Sequence, residues 1–318
     1  MRLQDLTNLI VPEREIEGLA AVLLPFDSSG INYSAFEKIL NDVVSAGLKP
    51  AVNMDTGFVE RLSEVQWYEV LKFTHSFLRG KEFVSGVVSK NHDLRRDYMR
   101  GCAKVQELGG VPILFPCKQM RYMGKHKLLK FYADIARAAG KILLFELGTQ
   151  FSPNGLIMEL DLIEMLMHIP EIQGLKHSSL DRELEWQRLE LRNRVRPSFK
   201  LYTGNDRAID MVIYGSDYIL GLACFYPKAF SLRDRLWKTG RSEFFLLNDV
   251  LQALGSFAFR HPIPGYKSAA CQFLKLRKVI EHCDIPSGEL QRPKEDEAVL
   301  AAILDQIDLA ISRIVKVL

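Results

Sequence analysis

The chain has no large charge imbalance. Its 318 residues include 42 lysines and arginines and 39 aspartates and glutamates, for a net charge of +3. This balance argues against a strongly basic nucleic-acid-binding protein and equally against a disordered acidic chain. Apolar residues make up 47% of the composition, which is typical of a globular protein that fills a large core.

Long hydrophobic runs are also missing. No apolar run reaches the roughly 18 residues that a membrane-spanning helix needs, and the most apolar stretches, Gly18–Phe26 and Tyr218–Tyr226, have the length of strands. The opening residues, MRLQDLTNLIVPEREIEG, carry charges where a signal peptide has an apolar centre. We therefore expect a cytoplasmic protein that binds neither membranes nor nucleic acid.

Cysteines are few and scattered. Cys102, Cys117, Cys224, Cys271 and Cys283 form no Cys-x-x-Cys pair, and no histidine–cysteine spacing is typical of a zinc site. The sequence also has no Gly-x-Gly-x-x-Gly dinucleotide motif, no Gly-x-Ser-x-Gly and no His-Glu-x-x-His. We predict reduced, buried thiols, no metal site and no cofactor.

Short apolar runs alternate along the chain with longer segments of helical spacing. The predicted strands are Gly18–Phe26, Pro50–Met54, Phe83–Ser89, Val111–Pro116, Lys141–Leu147, Ile172–Ser178, Lys200–Asn205 and Tyr218–Phe225. The predicted helices among them are Tyr33–Ala46, Ser63–Leu78, Arg95–Leu108, Lys125–Ala139, Glu159–Met167 and Leu180–Arg192. After Gly240 the pattern is purely helical, with predicted helices Arg241–Phe259, Gly265–His282 and Glu295–Leu318.

The order of these elements predicts an α/β fold. Strands that are buried on both faces are continuous apolar runs, and their alternation with helices implies parallel pairing. Eight such units predict a (β/α)8 TIM barrel within residues 1–240, with a C-terminal helical extension, residues 241–318, packed on the barrel. A doubly wound open sheet has the same alternation and is the alternative.

Functional side chains of a barrel lie at the C-terminal ends of its strands and on the loops that follow. Lys176 occupies such a position, directly after the apolar run Ile172–Leu175. An ammonium is costly to bury, so this lysine is either paired or snorkelling, or it is a functional amine. Desolvation lowers the pKa of a lysine and releases the neutral amine that attacks a carbonyl.

Residues 172–180, IQGLKHSSL, resemble the lysine strand of the dihydrodipicolinate synthase / N-acetylneuraminate lyase family, whose pattern is G-[IL]-K-[ED]-[AS]-[ST]. Four other segments resemble parts of that family in the same order: LPF with GIN at residues 24–32, LYTGND at 201–206, residues 218–227, and GYKSA at 265–269. The resemblance implies a TIM barrel and a class I aldolase or lyase in which Lys176 forms a Schiff base with a 2-oxo acid or related carbonyl compound. It also implies a homotetramer or homodimer.

Two departures from the family pattern change the expected site. In the loop after the second strand, Thr56 is retained, but Asp55 replaces its neighbour, where a negative charge would repel a substrate carboxylate. Free pyruvate should therefore bind poorly unless Asp55 is protonated or turned outward. At the end of the fifth strand, Phe145 replaces the tyrosine that acts as general acid/base in the family, and the arginine that often follows is missing.

The predicted site combines the lysine with polar residues at the same strand ends. Its catalytic residues are Lys176, Glu146 and Asp55, and its substrate-binding residues are Thr56, Gly57, Phe145, Gly204, Asn205 and Ser178. Strand alternation leaves open whether Glu146 is catalytic or points away from the site, and it predicts an outward position for His177. The alternatives are a dehydratase that uses the same imine, and a barrel that has lost catalysis and serves as a binding or regulatory protein.

Overall fold

The computed structural model describes residues 2–90 and 93–317, and its main feature is a closed barrel of eight parallel strands. Each strand pairs with the next along the chain, and the last pairs with the first. The strands are β1 Gly18–Ala21, β2 Lys49–Val52, β3 Phe83–Val87, β4 Gly110–Leu114, β5 Ile142–Leu147, β6 Ile172–Ser178, β7 Lys200–Thr203 and β8 Asp217–Leu220. The predicted (β/α)8 barrel is confirmed, and the open sheet is wrong.

Helices follow the strands and cover the outside of the barrel. They are α1 Leu3–Thr7, α2 Tyr33–Ser45, α3 Glu64–Leu78, α4 Leu94–Glu107, α5 Lys125–Ala139, α6 Leu160–Met167, α7 Arg182–Val195, α8 Pro227–Lys238, α9 Glu243–Ala258, α10 Tyr266–Leu276 and α11 Asp296–Val315. The predicted helices are present, while α1 and α8 were not predicted. The end of the last predicted helix, Leu318, lies outside the described residues.

Several predicted elements are shorter in the structure, among them the last strand, which ends at Leu220 instead of Phe225. The first strand ends at Ala21 instead of Phe26, because Phe26–Asp27 pairs with Gly30–Ile31 in a small antiparallel hairpin. The helix that begins at Tyr266 ends at Leu276 instead of His282, and the backbone soon adopts a left-handed conformation, with φ of 59° at Lys278. Among the described residues, no helix has both the length and the apolar character of a membrane span.

The residues after α10 also correct the cysteine prediction. Cys271 and Cys283 are joined by a disulfide, with their Cα atoms 5.5 Å apart, whereas Cys102, Cys117 and Cys224 are free and buried. The prediction of reduced thiols is therefore wrong for two of the five. The fold brings these two residues together although 12 positions separate them, a spacing that by itself does not indicate a pair.

Charged residues at the N-terminal ends of the strands are paired with one another. Lys49 Nζ lies 2.7 Å from Glu17 Oε1 and 3.0 Å from Glu82 Oε2. Lys200 Nζ lies 2.9 Å from Asp217 Oδ2. Burial alone would lower the pKa of both lysines, but these carboxylates outweigh it and raise the pKa. This end of the barrel therefore holds its lysines in the charged form.

Candidate active site

Lys176 lies on β6 at the opposite end of the barrel, with only 6% of its surface exposed. Its neighbour in the register of β5 is Phe145, and the amine Nζ is 4.3 Å from the centre of that ring. Phe115 packs edge-on against Phe145, with ring centres 4.7 Å apart. The Phe145 ring, itself packed against Phe115, therefore covers one side of the amine.

Gly204, in the turn after β7, makes room for the lysine side chain. A Cβ atom at this position would lie 2.7 Å from Lys176 Cε and would overlap Ser178 Oγ. Lys176 and Ser178 are two residues apart on β6 and so share a face of the strand. The structure therefore brings Phe145, Ser178 and Gly204 together around Lys176, as the sequence predicted.

Burial dominates the electrostatics of Lys176. Desolvation lowers the pKa of its amine to about 8, although the negative charges of Asp206 and Asp55 act in the opposite direction. No carboxylate of the described residues comes within ion-pair distance of Lys176. Asp206 is itself buried, which raises the pKa of its carboxyl, and it accepts a hydrogen bond from the Leu222 amide at 2.7 Å. The amine is thus partly neutral near physiological pH.

The loop after β2 forms a short 3-10 turn, Asp55–Gly57, that is tied to the C-terminal extension. The Tyr266 hydroxyl donates to Asp55 Oδ2 at 2.7 Å and lies 3.1 Å from Thr56 Oγ1. Lys267 Nζ lies 3.3 Å from Asp55 Oδ1. The carboxylate predicted at Asp55 thus lies beside a lysine that the sequence analysis did not select, and this lysine is also 3.4 Å from Glu289 Oε2.

Gly57 is the last residue of this turn and is packed against neighbouring backbone. Its amide donates to the Met54 carbonyl at 3.0 Å, so the turn itself uses this donor. A Cβ atom at Gly57 would lie 3.3 Å from the Val22 carbonyl oxygen. Gly57 therefore shapes the loop and packs it against the residues that follow β1, and this does not fit a direct role in substrate binding.

Glu146 points away from Lys176, on the outer face of β5. Arg188 of α7 donates to both of its oxygens, Nε at 2.6 Å and Nη2 at 2.8 Å. His177 Nδ1 and the Met158 amide are each 2.7 Å from the same carboxylate. Burial alone would raise the pKa of Glu146, but His177 and Arg188 outweigh it and lower the pKa to about 2. These contacts do not fit the predicted catalytic role of Glu146, because both oxygens of its carboxylate are engaged on the outer face.

The side chain of Asn205, which follows β7, also points to the outside of the barrel. Its side-chain amide donates to Glu185 Oε2 of α7 at 2.6 Å, and its carbonyl oxygen accepts from the amides of Ser179 and Leu180 at 2.9 and 2.6 Å. These bonds direct the side chain beneath α7 instead of toward Lys176. This direction does not fit the predicted substrate contact of Asn205, whereas the outward position predicted for His177 is confirmed.

Three residues near the amine were missed by the sequence analysis. Asp206 ends the LYTGND segment and directly follows Gly204 and Asn205, which were predicted as site residues. Its position at the end of a strand could therefore have indicated a place in the site. Tyr266 and Lys267 come from the start of α10, outside the barrel strands. No spacing in the sequence connects that helix with the loop after β2.

The fold and the desolvated amine define a class: a (β/α)8 barrel with a lysine site at the C-terminal ends of its strands. No family model matches the chain. Two curated 4-hydroxy-tetrahydrodipicolinate synthases are similar to it. That of Kosmotoga olearia is 22% identical over 206 residues, covering 64% of the chain and 68% of the relative. That of Macrococcus caseolyticus is 23% identical over 281 residues, covering 86% and 88%.

Solved structures show the same fold at low identity. A putative dihydrodipicolinate synthetase from Pseudomonas aeruginosa matches with a TM-score of 0.79 and 17% identity, covering 92% of this chain and 99% of that one. The sialic acid aldolase of Ruminococcus gnavus matches with 0.79 and 16%, covering 94% and 99%. The resemblance to the dihydrodipicolinate synthase / N-acetylneuraminate lyase family is confirmed, at low sequence identity.

Proposed function

We propose that the protein is a class I aldolase or lyase that binds a 2-oxo acid or a related carbonyl compound as an imine of Lys176. The observation that carries this proposal is the buried amine, which packs on Phe145 and has a pKa of about 8. Relatives described as 4-hydroxy-tetrahydrodipicolinate synthases and a similar structure described as a sialic acid aldolase support the same class of chemistry.

The proposed reaction begins with the neutral amine. The nitrogen lone pair forms a bond to the carbonyl carbon while the carbonyl electrons move to oxygen, and loss of water gives the imine. Protonation of the imine nitrogen makes the group an electron sink. A bond from the adjacent carbon to its substituent then breaks, its electron pair becomes the carbon–carbon double bond of an enamine, and the iminium π pair moves to nitrogen. The iminium supplies the electrophilic stabilisation, so the proposed chemistry needs no metal.

In this proposal, the groups around the amine have separate roles. Ser178 and Gly204 flank the lysine side chain, and Thr56 offers a hydroxyl from the facing loop. The Asp55–Lys267 pair sets the charge of that loop. Glu146 holds β5 to α7 through Arg188 and belongs to the scaffold.

A second candidate function is suggested by Phe145, whose ring has no exchangeable proton at the position of the family tyrosine. A barrel without that phenol has either a different proton path, as in a dehydratase that uses the same imine, or no turnover, as in a binding or regulatory protein. As the family resemblance implies, we further propose a homotetramer or homodimer that acts on a small molecule. From the charges of the opening residues, we propose a cytoplasmic location.

Borohydride trapping tests the imine. The protein is incubated with pyruvate, longer 2-oxo acids or aldehydes, reduced, and analysed by peptide mass spectrometry. We expect a reduced adduct on Lys176 of the wild type, and no adduct or turnover in Lys176→Ala. Lys176→Arg should behave in the same way, because a guanidinium is not a usable nucleophile at neutral pH.

The matched control is Lys200→Ala, which removes a paired lysine from the other end of the barrel. This variant should trap substrate as the wild type does. Adducts that persist in Lys176→Ala, or that are spread over surface lysines, would contradict the imine mechanism. Binding without any reducible adduct would favour the binding or regulatory protein.

A further inference from the structure

The C-terminal extension holds a phenol in a fixed position beside the candidate site. The ring of Tyr266 is buried and stacks on Phe259, with ring centres 4.3 Å apart and an interplanar angle of 13°. Gly221, after β8, lies against the group: a Cβ atom there would be 3.1 Å from Thr56 Oγ1 and 3.3 Å from the Tyr266 ring. This close packing leaves the phenol little freedom to move.

The Tyr266 hydroxyl connects two groups of the loop after β2. It donates to Asp55 Oδ2 at 2.7 Å, so its oxygen is left to accept from Thr56 Oγ1 at 3.1 Å. Burial, followed by the Asp55 charge, raises the pKa of Tyr266 well above 10, which keeps the phenol protonated. The hydrogen bonds therefore run in one direction, from the threonine hydroxyl through the phenol to the carboxylate.

This chain of hydroxyls lies in the same electrostatic environment as the amine. The charges of Asp55 and Asp206 act on the pKa of Lys176 and also on the pKa of Tyr266. The residues nearest to Lys176 on β5 offer no alternative proton carrier, because Phe145 has no hydroxyl and Glu146 is engaged on the outer face. Imine chemistry nevertheless requires a group that accepts and returns a substrate proton.

We propose that Thr56, Tyr266 and Asp55 form the proton relay for imine chemistry at Lys176, with Tyr266 as the positioning residue that connects the other two. In the forward step, the Thr56 oxygen takes the proton from the carbon next to the iminium while its own proton moves to Tyr266 and the phenol proton moves to Asp55. The C–H electron pair becomes the enamine double bond, and the iminium π pair moves to nitrogen. Reversal returns the proton.

Lys267 fits this arrangement as the counter-ion of the terminal base. Its amine is 3.3 Å from Asp55 Oδ1, on the side of the carboxylate that Tyr266 does not use. The same amine is 3.4 Å from Glu289 Oε2, so Lys267 joins the end of the relay to the C-terminal extension. The proposal depends on the proposed function, because a relay has no use without an imine.

The test separates imine formation from proton transfer, with pyruvate as the probe. Borohydride trapping measures the imine, and NMR in D2O measures exchange of the pyruvate methyl hydrogens. We expect Tyr266→Phe to retain trapping within about twofold and to lose exchange by about a hundredfold, which is within the usual effect of general acid–base catalysis. The double variant Tyr266→Phe/Phe145→Tyr should regain part of the exchange, because a phenol is restored on the ring beside Lys176.

Tyr226→Phe is the matched control, since its hydroxyl also donates to a carboxylate, Asp308, at 2.6 Å, outside the proposed relay. It should exchange as the wild type does. Trapping with unchanged exchange in Tyr266→Phe would overturn the relay and leave the imine intact. Parallel loss of trapping and exchange would also overturn it, because Tyr266 would then only support the fold. Failure of the wild type to trap any carbonyl probe would overturn the proposed function and the relay together.

Discussion

The two faces of β5 and β6 carry neighbouring residues in opposite environments. On the inner face, Phe145 pairs in register with Lys176, and on the outer face, Glu146 pairs with His177. All four side chains are buried. The outer carboxylate receives four hydrogen bonds from Arg188, His177 and the Met158 amide, whereas the inner amine packs on a ring.

The difference shows how one pair of strands holds a paired charge on one face and a candidate catalytic amine on the other. A buried charge that is fully hydrogen-bonded stays charged, and the pKa of Glu146 is lowered to about 2 although burial alone would raise it. A buried amine without a close partner is pushed toward its neutral form, and the pKa of Lys176 falls to about 8. Alternation along a strand, with a period of two residues, keeps the two environments apart.

Loss of the outer charge should have the largest effect on the fold. In Glu146→Gln, the Arg188 guanidinium remains buried without its counter-ion, so we expect the free energy of unfolding to fall by roughly 3–5 kcal/mol. Urea denaturation measures this loss. The folded fraction should still form a reducible adduct at Lys176, because the carboxylate is not on the inner face.

Glu190→Gln is the control for that experiment, since Glu190 is an exposed residue of the same helix, α7. Its effect on stability should be within about 0.5 kcal/mol. If Glu146→Gln were as stable as this control but had lost imine formation, Glu146 would act in the chemistry and the distinction between the two faces would be lost.

The sequence was sufficient to predict the barrel and the position of Lys176 on its inner face. Continuous apolar runs and their alternation with helices predicted all eight strands, and Lys176 stood out as a charge after such a run. Which way Glu146 points was not predictable in the same way, because its partner Arg188 lies on a helix that the sequence pattern does not orient. The direction of the Asn205 side chain was not predictable for a similar reason, since its hydrogen bond to Glu185 of α7 turns it away from the predicted site.

Contacts between the barrel and the C-terminal extension could not be predicted from patterns in the sequence. Tyr266 and Lys267 reach Asp55 only because α10 begins beside the loop after β2. The disulfide between Cys271 and Cys283 was missed because it forms across the end of the same helix. Both depend on tertiary packing, for which a hydrophobic period contains no information.

The pH dependence of borohydride trapping should report the environment of Lys176 on the inner face, with a change of about tenfold in the initial rate. With a pKa of about 8, roughly one-tenth of Lys176 is neutral at pH 7 and nine-tenths at pH 9, so the initial rate of trapping should rise about tenfold and then level off. An amine with an ordinary lysine pKa would give a rise of roughly a hundredfold over this interval, without a plateau.

The pH dependence of the free energy of unfolding should instead report Glu146, on the outer face. Because the folded pKa of Glu146, about 2, lies below the ordinary value of 4.5, the ionised carboxylate stabilises the fold fully above pH 4.5, and this contribution is lost as the pH falls toward 2. Glu146→Gln should remove that part of the acid dependence. A trapping rate that keeps rising steeply above pH 9 would contradict the desolvated amine.

The smallest expected effect concerns Asp55, and it tests how well Lys267 offsets its charge. An unpaired carboxylate 4 Å from a substrate carboxylate would repel it by roughly 4 kcal/mol, or about a thousandfold in binding. Because Lys267 lies 3.3 Å from Asp55, we expect Asp55→Asn to lower the pyruvate concentration for half-maximal trapping only about threefold to tenfold. Neutral hydroxyacetone should show no comparable gain. A gain near a thousandfold would mean that Asp55 acts as an uncompensated charge on the substrate, and an equal gain for hydroxyacetone would show that size, not charge, governs this part of the site.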